Sequence, residues 1–101
     1  MSVTIQSRED VLAALKEFKE RRGAEFHLTA LGVFGSFARG GATADSDVDV
    51  VFETNKPNLF ETAILKQELE ALLGRPVDVL QLRGIRNLRL KARVEREMIH
   101  V

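Results

Sequence analysis

Cysteine is absent from the 101-residue chain, and neither sign of charge is in excess. Without cysteine there can be no disulfide framework, no thiolate zinc site and no cysteine nucleophile. The 15 lysine and arginine residues balance the 15 aspartate and glutamate residues. A nucleic-acid-binding domain usually carries a basic excess, because neutralising phosphates supplies much of its affinity. The composition therefore argues against direct nucleic-acid binding.

Long apolar runs are missing as well. No uninterrupted run approaches the ~18 residues that a membrane-spanning helix needs, and residues 1–10 are polar and acidic, unlike a signal peptide. We therefore expect a cytoplasmic protein with no membrane partner. The hydrophobic fraction of 45% is normal for a globular chain. The length suits one folded unit, which predicts a single domain over residues 1–101.

Hydrophobic periodicity predicts alternating helices and strands. Helices are expected from a cap at Ser7 to a stop at Gly23, briefly after Gly35-Ser36, from Asn58 to Leu73, and from Ile85 onward with an extended tail at 98–101. Strands are expected at Leu28–Phe34, Val48–Phe52 and Pro76–Leu80, and a loop at Ala42–Ser46. The Asn58 helix has a continuous apolar face, and we interpret its leucine positions as core. The face consists of Phe60, Ile64, Leu65, Leu69, Leu72 and Leu73. The order α-β-α-β-α-β-α predicts an α/β (α+β) fold, a small mixed sheet with flanking helices.

The first chemical feature is Gly35-Ser36 at a predicted strand-to-helix junction. Such a junction offers unpaired backbone N–H groups and the positive end of a helix dipole, and both suit a phosphate. Glycine lets the backbone approach an anion closely, and the Ser36 hydroxyl adds a donor. Arg39 follows three residues later on the same helix face and could reach the same anion. A plain capped turn is the alternative for these residues.

The second feature is Asp47-Val48-Asp49 at the start of a strand. Side chains alternate along a strand, so the two aspartates face one side while Val48 and Val50 face the core. Two neighbouring carboxylates repel each other unless a cation compensates them. Such pairs also occur at solvent-facing strand ends, so a plain surface position remains open.

Asp78 interrupts the apolar strand predicted over 76–80. An aspartate is a poor strand former and is costly to bury. If this strand lies beside the preceding one, about 5 Å away, Asp78 can face the same cavity as Asp47 and Asp49. Three carboxylates around two Mg²⁺ ions ~3.5–4 Å apart form the two-metal arrangement for in-line attack on a phosphate. This arrangement favours a magnesium site over a solvent-facing strand end.

The combined pattern resembles a known signature. Residues 35–40 read Gly-Ser-Phe-Ala-Arg-Gly, and Ser46-Asp47-Val48-Asp49 follows, with Asp47 eleven residues after Ser36. This resembles the nucleotidyltransferase signature of the DNA polymerase beta superfamily. The short chain and the Val-Asp-Val-Leu strand resemble its minimal nucleotidyltransferase (MNT) branch, the antitoxins of HEPN/MNT toxin–antitoxin systems. The resemblance extends from the Leu28 strand to residue 101.

The resemblance implies a polymerase beta palm-like fold, two Mg²⁺ ions as cofactors and ATP as a substrate. It also implies roles for particular residues. Asp47 and Asp49 correspond to the paired metal-binding aspartates, and Asp78 to a third carboxylate that helps to deprotonate the attacking hydroxyl. The residues that correspond to the nucleotide and phosphate site are Gly35, Ser36, Arg39 and Ser46.

The activity implied by the resemblance is transfer of AMP from ATP to a protein hydroxyl. The acceptor would be a tyrosine of a cognate HEPN RNase toxin, with this chain as the antitoxin of a type VII-like pair. One alternative is a catalytically idle module that neutralises the toxin by occlusion. Another is transfer to a small molecule of the aminoglycoside type. The intact set of three aspartates favours the enzyme over the idle module, and small-molecule members generally carry an additional domain.

The C-terminal segment is locally basic. Its arginines recur at intervals of three or four, which would place them on one face of the last helix. Both a solvated helix face and a partner-docking surface fit this pattern. The basic residues are Arg83, Arg86, Arg89, Lys91, Arg93 and Arg96.

Overall fold

The computed structural model describes residues 7–41 and 46–101. Helices and strands alternate along the chain, as predicted. The elements are α1 (Arg8–Arg22), β1 (Leu28–Phe34), α2 (Ser36–Arg39), β2 (Val48–Thr54), α3 (Leu59–Leu73), β3 (Val77–Gln81), a 3₁₀ turn (Leu82–Gly84), α4 (Leu88–Glu97) and β4 (Ile99–His100). Of the loop predicted over 42–46, only Ser46 lies within the described residues.

The four strands form one mixed sheet in the order β3-β2-β1-β4. β1 is antiparallel to both β2 and β4, whereas β2 and β3 are parallel. A parallel pair needs a crossover connection, and α3 supplies it. The mixed sheet with flanking helices confirms the predicted fold class. The tail expected over 98–101 includes the short edge strand β4.

Side-chain caps fix the starts of the two long helices. Ser7 Oγ accepts a hydrogen bond from the Asp10 backbone N–H at 3.2 Å, and Asn58 Oδ1 accepts from the N–H groups of Phe60 and Glu61. These polar acceptors satisfy N–H groups that the first helical turn leaves unpaired. Both helix starts agree with the sequence prediction.

The apolar face predicted for α3 is only partly buried. Three leucines spaced four residues apart contact the core, namely Leu65, Leu69 and Leu73. Three other residues of the predicted face are exposed, namely Phe60, Ile64 and Leu72. The prediction that the leucines of this face are core was therefore wrong for Leu72. The helix meets the sheet along one narrow stripe, and residues 100° or more away around its axis point elsewhere.

The sheet separates two clusters of buried side chains. Val48, Val50 and Phe52 of β2 point to the side covered by α1 and α3. Val51, between them in sequence, points to the other side, which is covered by the 3₁₀ turn and α4. None of the helices described over 7–41 and 46–101 is both long and apolar enough to cross a membrane.

The last helix begins later than the sequence predicted. α4 starts at Leu88 because Asn87 Oδ1 caps it, accepting from the N–H groups of Arg89 and Leu90. Ile85 lies before the helix and is buried in the second cluster.

The basic segment is therefore divided between three pieces of backbone. Arg83 lies in the 3₁₀ turn, 3.7 Å from Glu53, and Arg86 lies in the connection to α4. Only Arg89, Arg93 and Arg96 of the predicted arginines belong to the helix. The prediction of one continuous helix face was wrong, since Gly84 and the Asn87 cap interrupt the helical spacing.

Candidate active site

Strand register places two aspartates side by side. Asp49 of β2 is paired with Asp78 of the parallel strand β3, and with Phe34 of β1 on its other side. Neighbouring strands lie about 4.8 Å apart, so paired residues present their side chains on the same face of the sheet. Asp47 precedes β2 directly and lies two residues before Asp49. The structure thus brings the three predicted aspartates to one end of the sheet.

The three aspartates differ in exposure. Asp49 is half-buried, whereas Asp47 and Asp78 are exposed. Val48 and Val50 are fully buried on the opposite face, which confirms the predicted alternation along β2. Asp49 therefore forms the inner wall of the site, and the other two carboxylates form its open side.

Burial and like charge act together on Asp49. Burial raises the pKa of the Asp49 carboxyl above its ordinary value, and the negative charges of Asp78 and then Asp47 raise it further. The positive charge of Arg39 lowers the pKa and so opposes them. Charged groups from β3, from the residue before β2 and from α2 therefore interact with one carboxylate.

The turn between β1 and α2 is packed against that carboxylate. Gly35 is buried and has φ +77° and ψ −146°, a backbone conformation that residues with a Cβ rarely adopt. A Cβ at Gly35 would also collide with Oδ2 of Asp49. Glycine is thus needed here for its backbone conformation and for the space that Asp49 occupies. The predicted phosphate turn and the predicted metal site are in direct contact.

α2 presents the remaining polar residues of the predicted nucleotide site. Phe37 and Ala38 are buried and anchor the four-residue helix in the core. Ser36 is half-buried and Arg39 is exposed. The effect of Arg39 on the Asp49 pKa places its charge within electrostatic reach of the aspartates.

Ser46 contacts Arg75, beside the predicted site, through its backbone. Its carbonyl oxygen accepts a hydrogen bond from Nη1 of Arg75 at 3.2 Å. Nucleotide binding by Ser46 remains a prediction.

The donor chemistry at this end of the sheet fits magnesium. Mg²⁺ prefers carboxylate oxygens and keeps several of its waters, so a few protein ligands suffice. A cation would also relieve the repulsion that raises the Asp49 pKa. In the described ranges, 7–41 and 46–101, no three acidic or histidine side chains are already gathered as a metal-binding cluster. The fit therefore rests on the half-buried Asp49 and its two like-charged neighbours.

Sequence reasoning missed two arginines beside the site. The guanidinium of Arg75 lies over the Phe37 ring, 5.1 Å from its centroid, and Nη1 of Arg8 donates to the Ala38 carbonyl at 3.1 Å. Each joins α2 to another part of the chain. Their spacing from Ser36 in sequence, 28 residues for Arg8 and 39 for Arg75, gives no local pattern that could have revealed them.

Most of the chain matches a known protein family. The sequence profile of the nucleotidyltransferase domain family matches residues 13–101. The chain belongs to this family. It is a nucleotidyltransferase, as the resemblance at Gly35-Ser36 and Asp47-Val48-Asp49 implied. The match begins within α1 and includes all the strands and helices from β1 to β4, which carry the predicted site.

Two relatives are similar over almost their whole length. The chain is 38% identical to the protein adenylyltransferase MntA of Thermococcus cleftensis, over 98% of this chain and 97% of that protein. It is also similar to a solved structure described as a candidate minimal nucleotidyltransferase, with a TM-score of 0.79 and 37% identity. That alignment covers 96% of this chain and 98% of the other.

A more distant likeness is to a chain in a solved toxin–antitoxin complex. That complex holds a tri-AMPylated HEPN toxin of Shewanella oneidensis and an MNT antitoxin. The TM-score is 0.63 at 22% identity, covering 88% of this chain and 68% of the other. At this identity the likeness shows a shared fold.

Proposed function

We propose that this nucleotidyltransferase moves AMP from ATP to a hydroxyl of a partner protein, a tyrosine of a HEPN toxin, and so acts as the toxin's antitoxin in the cytoplasm. The observation that carries the proposal is the position of Asp49, which is paired with Asp78 on the neighbouring strand and lies against the Gly35 turn. The MntA relative supports AMP as the transferred group and protein as the acceptor. The complex from Shewanella oneidensis supports a HEPN toxin as the partner.

Three carboxylates would hold the metal. Asp47, Asp49 and Asp78 are the proposed ligands of two Mg²⁺ ions, which would supply positive charge opposite the phosphoryl oxygens. The ionised form of Asp49 is disfavoured in the folded protein, because burial and neighbouring negative charges raise the pKa of its carboxyl. Coordination would offset both the burial and the like charge that disfavour it.

The turn and α2 would hold the triphosphate of ATP. The glycine at position 35 has no side chain that could block the turn, and Ser36, which carries a hydroxyl, is the next residue. Arg39 is exposed at the end of α2, so its guanidinium is free to turn toward an anion. We include Ser46 as a fourth nucleotide contact on the strength of the family signature.

Asp78 is the proposed proton acceptor. The acceptor hydroxyl oxygen forms a bond to the α-phosphorus, the bond to the β-bridging oxygen breaks, and pyrophosphate leaves. The proton of the hydroxyl passes to the Asp78 carboxylate. Because Asp78 is exposed, a hydroxyl carried by another protein can reach it. Positioned proton transfer of this kind typically contributes 10²–10⁴-fold to the rate.

The partner would position its own hydroxyl. Holding a reactant in place accounts for a large share of catalysis, because it replaces a bimolecular encounter with a nearly unimolecular step. Two of the three carboxylates lie on the open side of the site. A docked toxin would therefore complete the site from that side.

Transfer of label from α-labelled ATP to a HEPN toxin of the same genome tests the proposal. Asp49→Asn is expected to abolish incorporation, and chelation of Mg²⁺ should do the same. Glu53→Gln is the matched control, because Glu53 points to the same face of the same strand but is paired with Arg83. Label incorporated equally by wild type and Asp49→Asn would contradict the proposed metal role.

A further inference from the structure

We propose that Arg75 is a positioning residue that holds Ser46, the residue before Asp47, against α2, which follows the phosphate turn. Arg75 touches neither ATP nor the acceptor in this account. What the two joined elements do rests on the proposed function above. The contacts that join them do not depend on it.

The first contact fixes Arg75 to α2. Its guanidinium carbon lies 5.1 Å from the centroid of the Phe37 ring, within the range of a cation–π interaction. Phe37 is only 1% exposed, so its ring is held by the core on the other side. The guanidinium therefore rests on an immobile surface.

The second contact fixes Arg75 to the segment before β2. Nη1 donates to the carbonyl oxygen of Ser46 at 3.2 Å, and Asp47 is the next residue. The planar guanidinium has several donors in fixed directions, so it can stack and donate at once. One side chain thus sets the distance between α2 and the backbone beside Asp47.

The third link comes from the position of Arg75 in the chain. Pro76 follows it, and the Pro76 carbonyl accepts from the Val48 N–H at 3.0 Å. Asp78 lies three residues after Arg75, on β3. The backbone of Arg75 is thereby tied to the same two strands that carry the aspartates.

α2 needs support from outside its own backbone. A four-residue helix closes a single turn, and helices this short are unstable alone. Arg8 supports it from α1 through the Ala38 carbonyl, and Arg75 supports it from the β3 side. Of these two arginines, Arg75 is the one with a described contact to Ser46, the residue before Asp47.

Another arginine provides a matched control. Arg22 stacks over the rings of Phe18 and Phe26 at 5.6 and 5.5 Å, and it donates to Glu68 at 2.8 Å. Like Arg75, it stacks on aromatic rings and donates hydrogen bonds, although its acceptors are the carboxylates of Glu25 and Glu68 rather than a backbone carbonyl. It joins α1 to α3 and has no described contact with α2 or Ser46.

Amide hydrogen exchange in the protein without metal or nucleotide tests the positioning role directly. Arg75→Gln is expected to speed exchange about tenfold or more at the hydrogen-bonded amides of 39–41 and of Val48, because the two segments that carry them lose their common support. Arg22→Gln should leave exchange in both segments unchanged. Arg75→Lys keeps the charge but loses the planar fork, so its exchange should fall between wild type and Arg75→Gln.

Calorimetric titration with Mg²⁺ and a non-hydrolysable ATP analogue gives a second readout. Loss of an outer support typically weakens a metal site about 10–100-fold, and we expect a loss in this range for Arg75→Gln but not for Arg22→Gln. Unchanged exchange in Arg75→Gln, or equal increases in the two glutamine variants, would overturn the inference. A wild-type protein that fails to bind the analogue would instead contradict the proposed function, while the exchange comparison would still decide the role of Arg75.

Discussion

At the scale of single residues, Asp49 determines how the site responds to pH. Its carboxyl is half-buried and faces two like charges, so its pKa is raised in the folded protein. A raised acid pKa means that the folded state is relatively favoured while the group is protonated. That contribution is fully present below the ordinary aspartate pKa and is lost as the pH rises through the folded-state value. At neutral pH, the ionised Asp49 therefore works against folding.

Asp49→Asn should accordingly raise the melting temperature at neutral pH in the absence of metal. The difference from wild type should shrink as the pH falls below the folded-state pKa, because the wild-type carboxyl is then neutral as well. Mg²⁺ should raise the melting temperature of wild type and have little effect on the variant. Thermal unfolding followed by circular dichroism at several pH values measures all three. A variant that is less stable than wild type at neutral pH would show that the Asp49 charge is already compensated.

At the scale of elements, the β1–α2 turn and β2 depend on each other. Gly35 and Gly40 flank α2 and both have positive φ, +77° and +78°. Among the described residues, 7–41 and 46–101, a Cβ at Gly40 would meet no atom within 4 Å, whereas one at Gly35 would meet the Asp49 carboxylate. Alanine at either position therefore strains the backbone, but only at Gly35 does it also displace a proposed metal ligand.

Gly35→Ala and Gly40→Ala should therefore separate backbone strain from site geometry. Gly40→Ala is expected to lower the free energy of unfolding by about 1–2 kcal/mol and to leave Mg²⁺ dependence unchanged. Gly35→Ala should lose about 1–3 kcal/mol from strain and also require more Mg²⁺ for half-maximal transfer. Denaturant unfolding and a Mg²⁺ titration of transfer measure the two effects. An identical Mg²⁺ requirement in both variants would contradict the contact between Gly35 and Asp49.

The elements also show how far the sequence predicts the structure. Caps and periodic burial placed α1 and β1 correctly, since both signals are local. The sequence prediction missed the start of α4. Asn87 caps this helix three residues after a 3₁₀ turn, and the periodic leucines gave no sign of that turn. The exposure of Phe60 could not be predicted, because it depends on how α3 is rotated against the sheet.

The same division applies to the site. Asp47, Asp49 and Gly35 follow from a short motif, and Asp78 from an aspartate in an apolar strand. Arg75 and Arg8 make contacts with residues about 30 to 40 positions away, namely Phe37, Ser46 and Ala38. A local pattern does not encode such contacts.

At the scale of the whole molecule, the site lies at one end of the sheet with its carboxylates toward solvent. Asp47 and Asp78 are exposed, and Asp49 and the Gly35 turn form the floor. The charges of the chain balance overall, yet three arginines of α4 are exposed, Arg89, Arg93 and Arg96. This layout suits an enzyme whose acceptor is presented by a second protein.

The intact mass of a HEPN toxin co-expressed with this chain shows whether the chain neutralises the toxin by transferring AMP to it. We predict that the toxin gains the mass of one or more AMP groups, and that it gains none when Asp47 and Asp49 are both replaced by asparagine. Toxicity should return with that double variant, because the proposed protection comes from AMP transfer to the toxin. A toxin that stays unmodified and is still neutralised, equally by wild type and by the double variant, would contradict the account and indicate neutralisation by occlusion.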